Sequence, residues 1–314
     1  MERLRQNKLI FGIVCALVCE TLFGLSYMFT KTAIRNAGVF ALLGWRFFLA
    51  IILSSILVKL GVMKINLKGK SLRPLLIVAI CSPCLYFFGE TLGLKYTTAS
   101  ESGVFLGCIP VVSLIASTVI LKKKPSVRQV IGILITMFGV IITVLAVGLS
   151  SSMSFIGYSF LTLSVISYAL YSVSVEKAAG YSISEITYVM LLLGATVFII
   201  LAIGEALLNG NMNELLMLPF TNREFAVSIV YQGIGCSVIA FFLYNIAVTN
   251  IGVNRAASFI GFSTVVSIIS GTLALKESFT LPQIIGAIII ITGVYIANAE
   301  KEVSGESKLT KSKS

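Results

Sequence analysis

The chain contains one stretch of itself twice. Leu121, Lys122, Gln129, Gly132, Gly139 and Val140 recur as Leu275, Lys276, Gln283, Gly286, Gly293 and Val294, at one constant offset. Both copies are apolar beyond their first turn, and so is most of the chain between and around them. With 57% hydrophobic and 12% charged residues, the chain carries more apolar side chains than a soluble core can bury. Apolar runs of about 20 residues recur from end to end, the length that crosses a ~30 Å hydrocarbon layer as a helix. A closed β-barrel is the other way to satisfy every backbone group in lipid. The runs do not alternate, which excludes it.

About ten spans are read: Leu9–Lys31, Val39–Leu60, Leu72–Gly93, Ser100–Leu121, Val127–Val147, Phe155–Val175, Glu185–Leu208, Phe225–Val248, Asn254–Leu275 and Pro282–Asn298. The first is too long for a signal peptide, carries Glu20, and is treated as mature helix. The repeat lays span 4 on span 9 and span 5 on span 10, so each half has five helices. Five is odd, so the halves enter the membrane in opposite senses. The expected fold is an all-α integral membrane protein of ten transmembrane helices in two inverted five-helix repeats. Residues 1–149 would form the first repeat, 150–300 the second, and 301–314 a basic, disordered cytoplasmic tail.

With both termini cytoplasmic, 18 of the 24 lysines and arginines fall on the inner side. Only Lys31, Arg35, Lys95, Arg223 and Lys276 fall outside, with Arg46 within a span. That asymmetry is the positive-inside signature of a multi-pass cell-membrane protein, and it accounts for the net charge of +11 without nucleic acid. The six cysteines all fall within spans and read as packing residues; Cys81 and Cys84 have the spacing of a redox pair. With no histidine and no aspartate, no metal or other cofactor is expected.

The order and spacing of short motifs resemble the drug/metabolite transporter superfamily, in particular its ten-helix EamA branch. The matching residues are Phe23-Gly24 and Lys31, Trp45-Arg46-Phe47 with Ala50, Leu92 to Thr97 leading to Ala99-Ser100 and Pro110, and Leu275-Lys276-Glu277 with Gln283, Gly286 and Gly293-Val294. The resemblance covers nearly the whole chain. It implies a central cavity lined by spans 1, 3, 4, 6, 8 and 9, with alternating access to the two sides. Two departures stand out: Lys123 occupies the turn between spans 4 and 5 where the family carries an acid, and Thr264 replaces the proline that Pro110 supplies in the other half.

Charges inside spans are costly and need a reason. Glu20 lies roughly 16 Å from the inner end of the first span, near the middle of a ~30 Å core. Phe23 and Tyr27 share its face. It reads as a cavity carboxylate for a cationic group or a proton, or else as a structural carboxylate hydrogen-bonded in the bundle. Arg46 and Glu90 lie about 12 Å and about 8 Å from the outer end, a depth at which they would pair as a structural or gating ion pair. Tyr86, one turn from Glu90, Tyr168 and Ser172 on span 6, and Gln232 on span 8 complete the candidate substrate-binding set with Glu20, Phe23 and Tyr27. Aromatic residues in spans also serve as packing and interface anchors. Pro83 marks a kink in span 3.

A secondary transporter of small organic metabolites fits best, working by alternating access on a proton gradient or the cargo's own gradient. The resemblance points to export of amino acids, their derivatives or amines. No glycine-rich nucleotide loop supports ATP drive. A passive channel or facilitator is the alternative, and no nucleophile–base constellation supports an enzyme. The expected partners are a small-molecule substrate, the lipid bilayer and protons, with no nucleic acid. An internal two-fold axis lets a monomer be complete.

Overall fold

The computed structural model describes residues 2–97, 105–146, 154–275 and 280–298; within these, no side-chain description covers residues 2–5, 27, 31, 35, 36, 144, 146, 268 and 271–275. Glu101, Lys276, Glu277 and the basic tail therefore lie outside the described residues, as do the side chains of Tyr27 and Lys31.

The described residues are helical with no strand. The order is α1 (Glu2–Asn36), α2 (Val39–Lys59), α3 (Arg73–Ala79), a π stretch (Ile80–Leu85), α4 (Tyr86–Tyr96), α5 (Ile109–Leu121), α6 (Val127–Ala146), α7 (Phe155–Lys177), α8 (Ile183–Asn209), α9 (Met212–Thr221), α10 (Arg223–Val230), a second π stretch (Tyr231–Ala240), α11 (Phe241–Ile251), α12 (Val253–Ser258), α13 (Ile260–Leu275) and α14 (Leu281–Asn298). Seven helical segments among the described residues are long and apolar enough to cross a membrane, from Gln6–Ile34 to Leu281–Asn298. Large apolar side chains such as Phe11, Ile77, Ile200, Leu207 and Ile288 face outward. In water such a surface would aggregate; in lipid it is the solvated one. The chain is a membrane protein.

Local chemistry explains where the helices start and stop. Ser182 and Glu185 form a capping box at the start of α8, and Gly210 ends it in the left-handed region at φ 68°. Ser154 and Asn222 cap α7 and α10 by accepting from Gly157 N and Phe225 N. Span 3 breaks at Ser82, whose backbone is extended beside Pro83. That agrees with the kink expected there.

Three features depart from a run of simple spans. The stretch between spans 7 and 8 folds into a short extra helix, α9, and Trp45 Nε1 donates to its Leu215 carbonyl at 2.9 Å. Span 8 widens into a π stretch over Tyr231–Ala240. Span 9 is divided near Phe259 into α12 and α13.

The two copies of the repeated stretch pack on each other as α6 and α14. A Cβ on Gly132 would stand 2.6 Å from the Gly293 carbonyl oxygen, and one on Gly286 would stand 2.8 Å from that of Gly139. These backbones touch because no side chain intervenes.

Glu185 is buried at the start of α8. Its carboxylate takes both a Lys70 ion pair at 2.9 Å and the Asn66 N–H at 3.0 Å, besides capping Ser182 N at 2.8 Å. It thus ties the loop 60–72 to the bundle. Glu185→Ala should lower thermal stability by about 2 kcal/mol, through a lost cap and an orphaned loop N–H. Lys70→Met should cost under about 1 kcal/mol, because the ammonium is partly solvated. Thermal unfolding in micelles checks both, and equal costs would contradict this assignment.

Candidate functional site

A group of polar side chains inside the bundle lines one cleft. Its wall comes from α1 (Glu20, Phe23, Ser26, Thr30), α2 (Arg46), the second half of span 3 (Tyr86, Phe87, Glu90, Thr91), α5 (Ile109), α7 (Tyr168), the π stretch (Gln232), α11 (Phe241) and α13 (Ser263). It encloses at most about 920 Å³ of empty space, open portion included, which limits any occupant to a small molecule. Glu20, at the midpoint of the span Gln6–Ile34, is 2% exposed. From there the cleft runs along the second half of α1 and the first turns of α2, toward the end of the bundle where α1 stops.

Sequence explains this convergence. A Cβ on Gly24, one turn beyond Glu20, would stand 2.6 Å from the Ser263 carbonyl, so glycine is what lets α13 press against α1. Ser263 thereby comes to face the Glu20 carboxyl. No cation pairs with Glu20 among the described residues. Arg46 is 4% exposed; its Nε donates to Ser237 Oγ at 2.7 Å and its Nη1 to Gln232 Oε1 at 3.2 Å. The guanidinium lies over the Phe87 ring, 4.4 Å from its centroid. Glu90 accepts from the Tyr86 hydroxyl at 3.0 Å.

Seven of the nine residues singled out from the sequence thus share this wall: Glu20, Phe23, Arg46, Tyr86, Glu90, Tyr168 and Gln232. Two do not join them. Ser172 is fully buried below the cleft, where its hydroxyl meets the Tyr168 carbonyl at 3.0 Å and the Tyr244 hydroxyl at 2.9 Å. Tyr27 has its side chain outside the described residues. The expected Arg46–Glu90 ion pair is not formed among the described residues, since each finds a neutral partner instead. Ser26, Thr30, Thr91, Ser263, Phe87 and Phe241 line the cleft without having been singled out. Ser26 and Thr30 follow Phe23 at +3 and +7, a helical spacing that marked them in principle.

At its other end the cleft is closed. Tyr171 donates to Asn245 Oδ1 at 2.7 Å, and Asn245 Nδ2 to Thr187 Oγ1 at 3.0 Å. Beyond them Glu176 pairs with Lys123 and accepts from Val253 N at 2.8 Å. One carboxylate therefore joins the turn after α5 to the start of α12, and this layer is about 12 Å deep from Tyr168 to Glu176 at helical rise.

An all-helical membrane protein with a charged, small-molecule-sized cleft reached from one end has the form of a solute carrier. The chain belongs to the EamA-like transporter family, which matches it twice, over residues 10–145 and 155–299, within the drug/metabolite transporter superfamily. It is 28% identical to "Uncharacterized transporter YcxC" of Bacillus subtilis (strain 168), over 92% of this chain and 93% of that one. An "Uncharacterized transporter" of Archaeoglobus fulgidus is 27% identical, over 88% of this chain and 93% of its own length. "WAT1-related protein At1g44800" of Arabidopsis thaliana is 27% identical, over 70% and 66%. A solved structure described as "Crystal structure of protein" superposes with a TM-score of 0.72 at 18% identity, covering 93% of this chain and 97% of that one. It shares the fold.

Proposed function

We propose that the chain is a secondary transporter that moves a small organic amine or amino acid by alternating access, with Glu20 as the group that takes the cargo's cationic centre or a proton. The observation that carries this reading is the buried Glu20 carboxylate, without a cationic partner among the described residues, in a cleft that runs toward one end of the bundle. A carboxylate without a countercharge at mid-membrane depth is costly unless its task is to receive one. Two carboxylates and one guanidinium line the cleft, so a monocation or a proton balances its charge.

The same reading takes the fold as ten spans in two inverted repeats, 1–149 and 150–300. The three spans beyond the seven are α5, α6 and the broken α12–α13. The reciprocal glycine contacts support it: the repeat maps Gly132 onto Gly286 and Gly139 onto Gly293, so the contact of Gly132 with Gly293 becomes that of Gly286 with Gly139. A two-fold relation between the copies makes one contact serve both. The distribution of cations supports cytoplasmic termini in a cell membrane, with the cleft facing outward and the Glu176 layer closing the inner side. Export is the direction the family resemblance suggests, and closure of one end argues against a continuously open channel.

Counterflow tests the class. Proteoliposomes preloaded with an amino-acid mixture should take up labelled amino acid faster than empty ones; equal rates would favour a channel. The inner layer has its own test. Glu176→Gln should loosen it, so spin labels at Lys124 and Lys177 should move apart relative to the unsubstituted protein. An unchanged distance distribution would remove Glu176 from the gate.

A further inference from the structure

The hydrogen bonds around Arg46 leave something over. Its Nε and Nη1 are taken by Ser237 and Gln232, but Nη2 is buried without a hydrogen-bond partner. The Gln232 amide nitrogen, on a side chain 1% exposed, is likewise buried and unpartnered. Turning the amide over would not relieve this, because it would set an N–H against the guanidinium's own N–H. Both orphans are donors, they belong to two side chains already bonded to each other, and both side chains form part of the cleft wall. Leaving two such donors unpaired at this depth is costly.

We infer that Arg46 Nη2 and Gln232 Nε2 form an anion subsite that receives a carboxylate of the cargo. This rests on the transporter reading above and deepens it. The Phe87 ring under the guanidinium, 4.4 Å from its carbon to the ring centroid, holds Arg46 at the wall while Nη2 stays without a partner. A planar two-oxygen acceptor can answer one donor with each oxygen, as carboxylates do with guanidinium and amide edges. Glu90 is the protein carboxylate competing for Arg46, and it is engaged by Tyr86 instead. With Glu20 open to a cation, the two subsites suit a cargo carrying both charges. A free inorganic anion shares the chemistry and could fill the Arg46 subsite alone.

Thermal-shift titration of the purified full-length protein tests this, with the twenty common amino acids, their decarboxylated amines, and sodium chloride or sulfate as probes. At least one amino acid should stabilise the protein at a concentration about tenfold or more below its amine. Gln232→Met should erase that advantage, and it serves where Arg46→Gln fails to fold. Stabilisation by chloride or sulfate, lost in Gln232→Met, would keep the subsite and assign it to a free anion. Equal action of acid and amine, an unaltered response in Gln232→Met, or no response to any carboxylate or anion would overturn the inference. An amine that binds in a Glu20-dependent way without any such discrimination would leave the carrier standing and remove only this subsite.

Discussion

Glu20→Gln is expected to reduce gradient-driven accumulation of cargo to the level of protein-free vesicles, while the variant still inserts and folds. The substitution keeps the side chain's size and hydrogen-bonding capacity toward Ser263, so packing around the midpoint of α1 changes little. What is lost is the mid-span carboxylate of the cleft, which can accept a cation or bind and release a proton; the second carboxylate, Glu90, keeps its Tyr86 hydrogen bond. If Glu20 couples transport to protons, exchange of cargo for cargo should survive in the variant and lose its pH dependence, because exchange needs no net proton movement. If Glu20 only holds the cargo's ammonium, exchange should fail as well. Either pattern keeps Glu20 at the site. Full concentrative transport by a well-folded Glu20→Gln protein would exclude it.

The second large effect concerns the seam between the two copies. Gly132→Val and Gly286→Val should each cost more than about 3 kcal/mol, because even a Cβ at these positions meets backbone of the facing helix at 2.8 Å or less. Backbone cannot swing aside as a long side chain can. The two costs should also be similar, since repeat mates stand in reciprocal contacts. Gly204→Ala is the control, with nothing within 4 Å of the added methyl, and it should be neutral or slightly stabilising. Thermal unfolding and yield of monodisperse protein measure all three. A tolerated Gly132→Val, or a large disparity between the two mates, would argue against a two-fold seam.

Glu20 was legible because a charge in a long apolar run is a violation that demands a reason. The kink at Ser82 was legible through Pro83, and the α6–α14 contact through glycines at matching positions. The π stretch at Tyr231–Ala240 was not, because it contains no proline. It lies instead where the α2 backbone comes close: a Cβ on Gly233 would meet the Arg46 carbonyl at 2.9 Å. That approach depends on tertiary packing and leaves only a glycine in the sequence. The Arg46–Glu90 pairing failed for a related reason. Depth along each span places two charges at similar heights, but rotation about the helix axes decides whether they face each other. Here Arg46 turns to Ser237 and Gln232 on span 8, and Glu90 turns to Tyr86 one turn away. Ser172 shared the helical face of Tyr168, yet one further turn carried it past the floor of the cleft.

Two-sided accessibility of the cleft tests the central claim most directly. A single cysteine at Ser263, in a protein whose six native cysteines have been replaced, would be probed with a membrane-impermeant thiol reagent from either face of sealed vesicles. The account predicts labelling from the outer face in one condition and from the inner face when the Glu176 layer is released by Glu176→Gln, with cargo protecting in both. Labelling confined to one face under every condition would contradict alternating access through this cleft.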